Sequence, residues 1–426
     1  MTMPMIIALA VTVLMIILIM VDKLPFGAPP LLALLLLVVL GVTDIKTAFG
    51  GFSNSTIIML ASFMAIMAAL QKTSFIVKFR EMMYKMAGHG GFKAYVALIL
   101  IVMLGCSLFG TGSTAYYVLT IGLLSTLPYS KQLPPSKVLM PAGFAANHPL
   151  LPFNTALQYG IVVAVLESAG VIANVNLVKF TFVNVALSLG FFVWCLLGYK
   201  IMPDHPIAEA TEEAKANQTA VSTLPHNKEI ITYICFIVAV VGMLLQSVIG
   251  DAGYALTGLA VGGLLVFGIM DFTEIRNAIS APIILMSAGV IGIADALGNT
   301  GLTALVGQTV ANMLGTNVNP FILIFVFCVL TSVLATLTGS TIGTVYVFAP
   351  MAIATCVSLG LDPTAAAAAI VISGWCGHFL PIDGMPAMIM GAGNYTMKEF
   401  WKFTIPQYFI RLLFLTVGAV LIFPMA

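Results

Sequence analysis

The stretch Thr111-Gly112-Ser113-Thr114 lies near the middle of an apolar run from Tyr95 to Leu127. The same four residues recur as Thr338-Gly339-Ser340-Thr341, 227 positions further along, inside a second apolar run from Phe321 to Ser358. Both runs are longer than the roughly 20 residues that a helix needs to cross a bilayer. A small polar turn within such a run is typical of a re-entrant hairpin, which enters and leaves the membrane on one side. The sequence therefore predicts two hairpins, at 95–127 and 320–358.

The composition is that of a membrane protein. Of the 426 residues, 60% are apolar and 8% are charged, whereas soluble domains carry about 25% charged residues. Apolar runs recur along the chain without the alternation of a membrane barrel, so we expect helices. The 17 basic and 16 acidic residues give a formal net charge of +1, which excludes a basic surface for nucleic acid. The six cysteines lie in apolar runs without CxxC spacing and are expected in the core.

The repeated tetrad belongs to a repeat of the whole chain. Ala69–Thr73 and Ala296–Thr300 keep the offset of 227 residues, and Leu151–Asn154 matches Leu380–Asp383 after a small insertion. A polar segment bounded by prolines separates the two halves and is predicted to be a cytoplasmic linker. We predict a first repeat at 1–203, the linker at 204–228 and a second repeat at 229–426.

Each repeat is predicted to hold three spans, the hairpin, a broken helix and a final span. The broken helices are placed at 136–169 and 364–392, because prolines between His148 and Pro152 and between His378 and Pro386 remove backbone hydrogen bonds. Five crossings in each repeat is an odd number, so the repeats are inverted and the chain crosses about ten times. The predicted fold class is an all-α integral membrane protein with two inverted repeats. The first three spans of the first repeat are expected at 4–21, 29–45 and 55–71. Those of the second repeat are expected at 229–249, 254–271 and 281–297.

The basic residues predict the orientation of the chain. Cytoplasmic loops are enriched in Lys and Arg, and ten crossings place fourteen basic residues on one side and two, Lys46 and Lys179, on the other. Both termini are therefore predicted outside, with the first hairpin opening from the cytoplasm and the second from outside. We expect a multi-pass protein of the cell inner (plasma) membrane, with an interfacial helix between Lys72 and Lys93.

Inverted repeats with broken helices and opposed hairpins are typical of secondary transporters, which bind substrate near the membrane midplane. At each tetrad a half-helix begins, and its free N–H groups and positive dipole end favour an anion. The carbonyls that end the preceding half-helices suit a bare cation such as sodium. The predicted substrate-binding residues are Ser113, Thr114, Asn154, Thr155, Ser340, Thr341, His148 and His378. The predicted cation-binding or coupling residues are Thr111, Gly112, Thr338, Gly339 and Asp383.

Several of these residues have a structural alternative. The tetrads could serve close helix packing, and Asp383 could cap a half-helix instead of carrying a cation or proton. His148 and His378 could satisfy backbone carbonyls at the helix breaks. Arg411, the only basic residue deep within a span, could pair with a carboxylate or help to hold an anionic substrate. The sequence holds no nucleophile with a base or metal ligands at fixed spacing, so an enzyme is not expected and no catalytic residue is assigned.

Over about residues 50–200 and 271–410, the sequence resembles the divalent-anion:sodium symporters of the ion transporter superfamily. Local matches at Ala69–Thr73, Gly360–Pro363 and Phe379–Ile382 accompany the shared layout of hairpins and broken helices. The resemblance implies uptake of dicarboxylates, citrate or sulfate by an elevator motion in a homodimer.

The chain departs from the family pattern at both kinds of loop. The family's Ser-Asn-Thr tips are here Gly112-Ser113-Thr114 and Gly339-Ser340-Thr341, so only the threonines carry over. The family's Thr-Pro-Pro-Asn type loop is here Leu151–Asn154 and Leu380–Asp383, so one asparagine is kept and the other is an acid.

The expected function is secondary active transport of a small organic anion, foremost a di- or tricarboxylate. Coupling to sodium or protons is expected because burial of an anion requires a compensating charge. The alternatives are a sodium/proton antiporter or an arsenite-type anion exporter of the same superfamily, and a membrane subunit of a larger complex. No cofactor is expected beyond sodium as a candidate coupling ion. The expected partners are the anionic substrate, the lipid bilayer and a second copy of the chain, without nucleic acid.

Overall fold

The structure is a computed structural model in which the described residues form helices joined by short turns. It describes residues 1–21, 24, 28–87, 89–111, 114–125, 131–151, 156–171, 175–207, 224–280, 282–302, 305, 309, 319–338, 341–381 and 384–425. Within these ranges the regular elements are α-helices and two single turns of 3-10 helix, at Gly50–Ser53 and Tyr199–Ile201. The predicted all-α fold class is confirmed.

The helices of the first half follow the predicted order. Its three expected spans correspond to α1 (Met3–Val21), α2 (Ala28–Val39) and α4 (Ser55–Leu70), with the one-turn α3 (Ile45–Ala48) between α2 and α4. The other helices of this half are α5 (Phe75–Ala87), α6 (Gly91–Phe109), α7 (Thr114–Ser125), α8 (Pro135–Ala145), α9 (Ala156–Ser168) and α10 (Leu177–Gly198).

The second half has its helices at the following positions. Its expected spans correspond to α11 (His226–Ile249), α12 (Asp251–Val266) and α14 (Pro282–Thr300), and the short α13 (Phe272–Ile279) precedes α14. The other described helices are α15 (Pro320–Thr338), α16 (Thr341–Ser358), α17 (Thr364–Ser373), α18 (Gly384–Gly393) and α19 (Met397–Ile422).

Five of the described helices are long and apolar enough to cross a membrane, by length and composition. They are α6, α10 with the turn that follows it, the first eighteen residues of α11, α15 and α19. Shorter apolar helices include α2, α12 and α16. The ten crossings, the inversion of the repeats and the positions of the termini remain predictions.

The last helix, α19, exposes apolar residues and buries polar ones. Its exposed face is a stripe with a spacing of four residues: Trp401, Ile405, Phe409, Leu413, Val417 and Leu421. On the opposite face, Thr404, Gln407 and Arg411 are each at most 2% exposed. A soluble helix has the reverse pattern, whereas polar residues that face the protein interior are typical of membrane helices. The pattern of α19 is therefore that of a membrane helix.

The described helices pack into two groups. The first group contains α1, α2, α4, α11, α12, α13 and α14, and the second contains α6, α7, α8, α10 and α15 to α19. α9 packs against α4 and α14 of the first group and against α16 and α17 of the second. The six cysteines are buried and free, as the sequence predicts, and all but Cys376 lie within these helices.

The amphipathic helix α5 follows α4 and packs against α6. It lies within the segment expected to be interfacial, with Met82 42% exposed and the adjacent Met83 2% exposed. The carboxylate of Glu229, at the start of α11, accepts hydrogen bonds from the backbone N–H and the hydroxyl of Ser74, directly before α5. The Lys72 ammonium donates to Glu274 on α13 at 2.5 Å. These contacts fix the start of α5 against the first group of helices.

Candidate functional site

The first tetrad lies where the chain reverses direction. α6 ends at Phe109, Gly110 has φ of +92°, and α7 begins at Thr114. The Tyr116 hydroxyl donates a hydrogen bond to the Val102 carbonyl at 2.7 Å, although a continuous helix would separate these residues by about 20 Å. The left-handed φ at Gly110 favours glycine at this turn. α7 therefore folds back on α6.

The second tetrad also joins two helices, and its last residue lies beside a helix break. α15 ends at Thr338, α16 begins at Thr341, and the two helices pack against each other. Gly374 directly follows α17, and a Cβ atom at Gly374 would lie 3.2 Å from Cγ2 of Thr341. The first residue of α16 is therefore next to the end of α17.

The two broken helices pack against each other. The first consists of α8 and α9, and the described residues that follow α8, 146–151, are its interruption. The second consists of α17 and α18, and the described residues that follow α17, 374–381, are its interruption. α8 packs against α18, and α9 packs against α17. The contact is close at Gly143, where a Cβ atom would come within 2.8 Å of Cγ1 of Ile389. The two interruptions are thereby brought into one region of the molecule.

A hydroxyl from the first helix of each reversal binds the interruption of the same half. The Ser107 hydroxyl oxygen on α6 accepts hydrogen bonds from the backbone N–H groups of Leu150 and Leu151 at 2.8 and 3.0 Å. The Thr336 hydroxyl on α15 donates to the Gly377 carbonyl. These bonds satisfy backbone groups that lack a helical partner.

His148 is completely buried, and both of its ring nitrogens are hydrogen-bonded. Nδ1 lies 2.7 Å from the carbonyl oxygen of Phe144, and Nε2 lies 2.9 Å from Nη1 of Arg411. A carbonyl only accepts and a guanidinium only donates, so Nδ1 carries the proton and Nε2 is the acceptor. The ring stacks on Phe191 with centroids 3.9 Å apart. His148 therefore satisfies a backbone carbonyl, which was the structural alternative, and also holds Arg411.

Arg411 is 1% exposed and binds both interruptions. Besides its bond to His148, it donates from Nη2 to the carbonyl of Cys376 at 2.5 Å. Its Nε atom has no hydrogen-bond partner among the residues that the structure describes. The sequence suggested a carboxylate or a substrate as its partner, whereas the described partners are an imidazole and a carbonyl.

His378 has different surroundings from His148. Its ring stacks on Phe144 with centroids 5.8 Å apart, and its buried Nδ1 atom has no hydrogen-bond partner within the described ranges. His378 lies five residues beyond the end of α17, whereas His148 lies three residues beyond the end of α8. Cys376, like His148, lies three residues beyond the end of its half-helix.

Among the predicted site residues, the side chains of Thr111, His148, Thr341 and His378 are described. Thr111 is 6% exposed, and its side chain lies beside the Cys106 thiol. Thr114 and Thr338 are described as helix ends only. The remaining candidates lie outside the described residues: Gly112, Ser113, Asn154, Thr155, Gly339, Ser340 and Asp383.

The sequence did not single out Ser107 or Thr336 as site residues. Serine and threonine in apolar helices commonly bond a carbonyl of their own helix, as Ser107 does with Met103 at 3.0 Å. Their position could have identified them, because each lies within three residues of the end of a helix that leads into a tetrad. That position brings the hydroxyl to the neighbouring interruption.

A half-buried acid lies elsewhere, between the two groups of helices. Glu167, near the end of α9, accepts a hydrogen bond from Nδ2 of Asn54 at 2.7 Å. Asn54 directly precedes α4 of the first group. Glu167 therefore joins α9 to the first group and not to the helix interruptions.

Interrupted helices occur at membrane depth where protein or an aqueous cavity satisfies their backbone, and carriers use such helices to build substrate sites. Two of them pack against each other here beside two chain reversals, inside a helical bundle whose described helices expose many apolar side chains. The fold and the site thus define a membrane transporter. The chain belongs to the CitMHS citrate transporter family, whose family model matches residues 16–372.

The relatives agree with this assignment. An Escherichia coli (strain K12) protein described as the uncharacterized transporter YfbS is 24% identical over 270 residues, which are 63% of this chain and 43% of that protein. The chain thus spans less than half the length of this curated relative. The match to a citrate transporter family confirms the resemblance to citrate and dicarboxylate transporters that the sequence indicated.

Two solved transporters share the fold. YdaH of Alcanivorax borkumensis has a TM-score of 0.60 at 15% identity, covering 99% of this chain and 98% of its own. MtrF of Neisseria gonorrhoeae, described within a class of antimetabolite efflux pumps, has a TM-score of 0.58 at 13% identity, covering 99% and 95%.

Proposed function

We propose that the chain is a secondary active transporter of a small organic anion, with di- and tricarboxylates as its substrate class. The observation that carries the proposal is the start of a half-helix at each tetrad, at Thr114 and at Thr341, with Thr341 beside a helix break. The first N–H groups of a helix lack helical partners and bind anions well. Membership of a citrate transporter family supports a carboxylate as the anion.

Coupling to sodium or protons belongs to the same proposal. A carboxylate at membrane depth requires a compensating positive charge, and helix carbonyls before each tetrad suit a cation. We assign this role to the predicted coupling residues, of which Thr111 offers a buried hydroxyl. The predicted Asp383 would serve in a proton-coupled mechanism.

Alternating access is proposed to be an elevator motion of one group of helices against the other. α9 packs against both groups, so such a motion would have to rearrange its contacts, including the bond between Glu167 and Asn54. A homodimer in the cell inner membrane, with both termini outside, completes this proposal.

The test is uptake into proteoliposomes of labelled citrate, succinate and acetate, with inward sodium and proton gradients imposed separately. Uptake of citrate or succinate that depends on one gradient supports the proposal and identifies the coupling ion. Absence of uptake of all three anions under both gradients contradicts it. Proton efflux on sodium addition, or arsenite export in place of uptake, would establish one of the alternatives, and Asp383→Asn should then stop the flux.

The site is tested by Thr114→Ala and Thr341→Ala, which should each abolish uptake while the protein stays folded. Thr355→Ala is the matched control, because the buried Thr355 hydroxyl on α16 bonds only the Met351 carbonyl of its own helix among the described contacts, at 2.8 Å. Near-normal uptake by both tetrad variants would remove the tetrads from the site.

A further inference from the structure

Arg411 connects the interruptions of the two broken helices. His148 lies three residues beyond the end of α8, and Cys376 lies three residues beyond the end of α17. Arg411 reaches both from the middle of α19, through Nη1 to the His148 ring and through Nη2 to the Cys376 carbonyl. A single side chain therefore holds the two interruptions at a fixed distance from each other.

The positive charge of Arg411 is retained although the residue is buried. Arginine stays protonated in proteins, and the His148 ring is neutral because its Nε2 accepts the bond from Arg411. Within the described ranges the ion pairs are Lys72 with Glu274 and His205 with Glu399. Neither of these pairs includes Arg411.

The ends of the half-helices offset part of this charge. The carboxyl end of a helix carries about half a negative charge, whose effect falls off within the last turn, and both α8 and α17 end next to the partners of Arg411. The offset is partial, so the guanidinium keeps a net positive charge. The guanidinium can thus remain buried without an acid, and its Nε–H has no described acceptor.

We propose that Arg411 is the positioning residue of the anion site and its resident counter-charge. It holds both interruptions and places a permanent positive charge behind them. This inference rests on the proposed function, because it takes the interruptions as part of the carboxylate site. A fixed positive charge favours an anion in proportion to the anion's charge, so the carrier should prefer citrate and succinate over a monocarboxylate.

The experiment compares wild type with Arg411→Met, Arg411→Lys and His148→Gln in proteoliposomes, using labelled citrate, succinate and acetate. Gln407→Met is the matched control. Gln407 lies one turn before Arg411 on the same helix and is also 1% exposed. Neither polar atom of its amide has a partner within the described ranges.

Arg411→Met should raise the KM for citrate at least tenfold and the KM for acetate no more than about threefold, so that the preference for multiply charged anions falls. Arg411→Lys keeps the charge but loses the fork that reaches two acceptors. It should keep the preference and unfold at a lower temperature. His148→Gln retains an acceptor for Arg411 and should also keep the preference, as should Gln407→Met.

If Arg411→Met folds and the ratio of the KM for acetate to the KM for citrate is unchanged, Arg411 is not the counter-charge of the site. If Arg411→Met does not fold, loss of the preference in folded Arg411→Lys overturns the counter-charge role instead. If wild type transports none of the anions, the proposed function has failed, and the positioning role is tested by thermal unfolding of single and double variants. The losses of stability caused by Arg411→Lys and by His148→Leu should then be non-additive in the double variant, because the two residues are in contact. The losses caused by Gln407→Met and by His148→Leu should be additive. Additive losses in both double variants overturn the positioning role.

Discussion

The two broken helices bind the same arginine in different ways. The first presents a side chain, the imidazole of His148, and the second presents a backbone carbonyl, that of Cys376. The two interruptions also differ in their second contact, in which both use backbone groups. The first loop donates backbone N–H groups to Ser107, whereas the second accepts a hydrogen bond at the Gly377 carbonyl from Thr336.

This difference determines which substitutions each loop tolerates. A backbone carbonyl persists whatever side chain its residue carries, so the second loop depends on space around its backbone. The first interruption depends on the chemical identity of His148, and each interruption depends on the helix hydroxyl, Ser107 or Thr336, that bonds its backbone. The two interruptions thus bind Arg411 by different means, and the following substitutions test the contrast.

The largest effect is expected from Gly377→Ala in the second loop. A Cβ atom at Gly377 would overlap the Thr336 hydroxyl and the Ser332 carbonyl of α15. The overlap would push α15 away from the second interruption. Overpacking of this kind lowers the free energy of unfolding by about 3 kcal/mol or more when backbone atoms are involved. We expect little folded protein, measured by size-exclusion chromatography and thermal unfolding in detergent.

The control for this substitution is Gly391→Ala. Gly391 lies on α18 with no atom within 4 Å of a Cβ at that position, and alanine favours a helix over glycine by up to about 1 kcal/mol. Unfolding of Gly391→Ala should thus occur at the wild-type temperature or slightly higher. A Gly377→Ala protein as stable as wild type would show that the second loop has more room than the structure indicates.

The second prediction contrasts His148→Leu with Cys376→Ala. Leucine removes the acceptor of a buried guanidinium and the donor to Phe144, and bonds to charged groups contribute about 1.5–3 kcal/mol. Cys376→Ala keeps the carbonyl and removes one sulfur atom, which should cost less than about 1.5 kcal/mol. His148→Leu should therefore lower the unfolding temperature more than Cys376→Ala does. Equal losses in the two variants would contradict the proposed difference between the loops.

The third prediction concerns Ser107→Ala in the first loop. It leaves the N–H groups of Leu150 and Leu151 without their acceptor, and hydrogen bonds within membrane proteins contribute about 0.6 kcal/mol each on average. We expect a loss of about 1 kcal/mol in the free energy of unfolding. Ser125→Ala is the control, because Ser125 bonds only the Ile121 carbonyl of its own helix among the described contacts, and it should be neutral. A neutral Ser107→Ala would mean that other groups satisfy the loop.

The contrast between the halves also shows what the sequence could predict. The apolar runs gave most of the helix positions within a few residues, for example α1 at Met3–Val21 against the predicted 4–21. Length and hydrophobicity suffice there because a span must match the bilayer. The tetrads likewise predicted that the chain would change course at Thr114 and Thr341.

The starts of the interruptions were less predictable. The prolines indicated the region, but α17 ends at Ser373, eight residues before Pro381. The two glycines Gly374 and Gly377 follow, and each lies close to α15 or α16. Such contacts between helices distant in sequence leave no local pattern, and the partners of Arg411 and Ser107 escaped prediction for the same reason.

The smallest effect is expected from Glu274→Gln, away from both interruptions. Glu274 on α13 pairs with Lys72 in the turn between α4 and α5. The side chains of Lys72 and Glu274 are 32% and 37% exposed, and exposed ion pairs contribute up to about 1 kcal/mol to stability. The hydrogen bond from Lys72 is the main cause that lowers the pKa of the Glu274 carboxyl below its ordinary 4.5. A lowered pKa in the folded state means that the stabilisation is present above that ordinary value and is lost as the pH falls through the folded pKa.

Glutamine keeps the hydrogen-bonding shape, so Glu274→Gln should unfold at a slightly lower temperature than wild type at pH 7. The difference in unfolding temperature should shrink at low pH and in high salt. A loss at pH 7 as large as that of His148→Leu would contradict the distinction between an exposed pair and the buried contacts of Arg411, because it would require the start of α5 to be coupled to the interruptions.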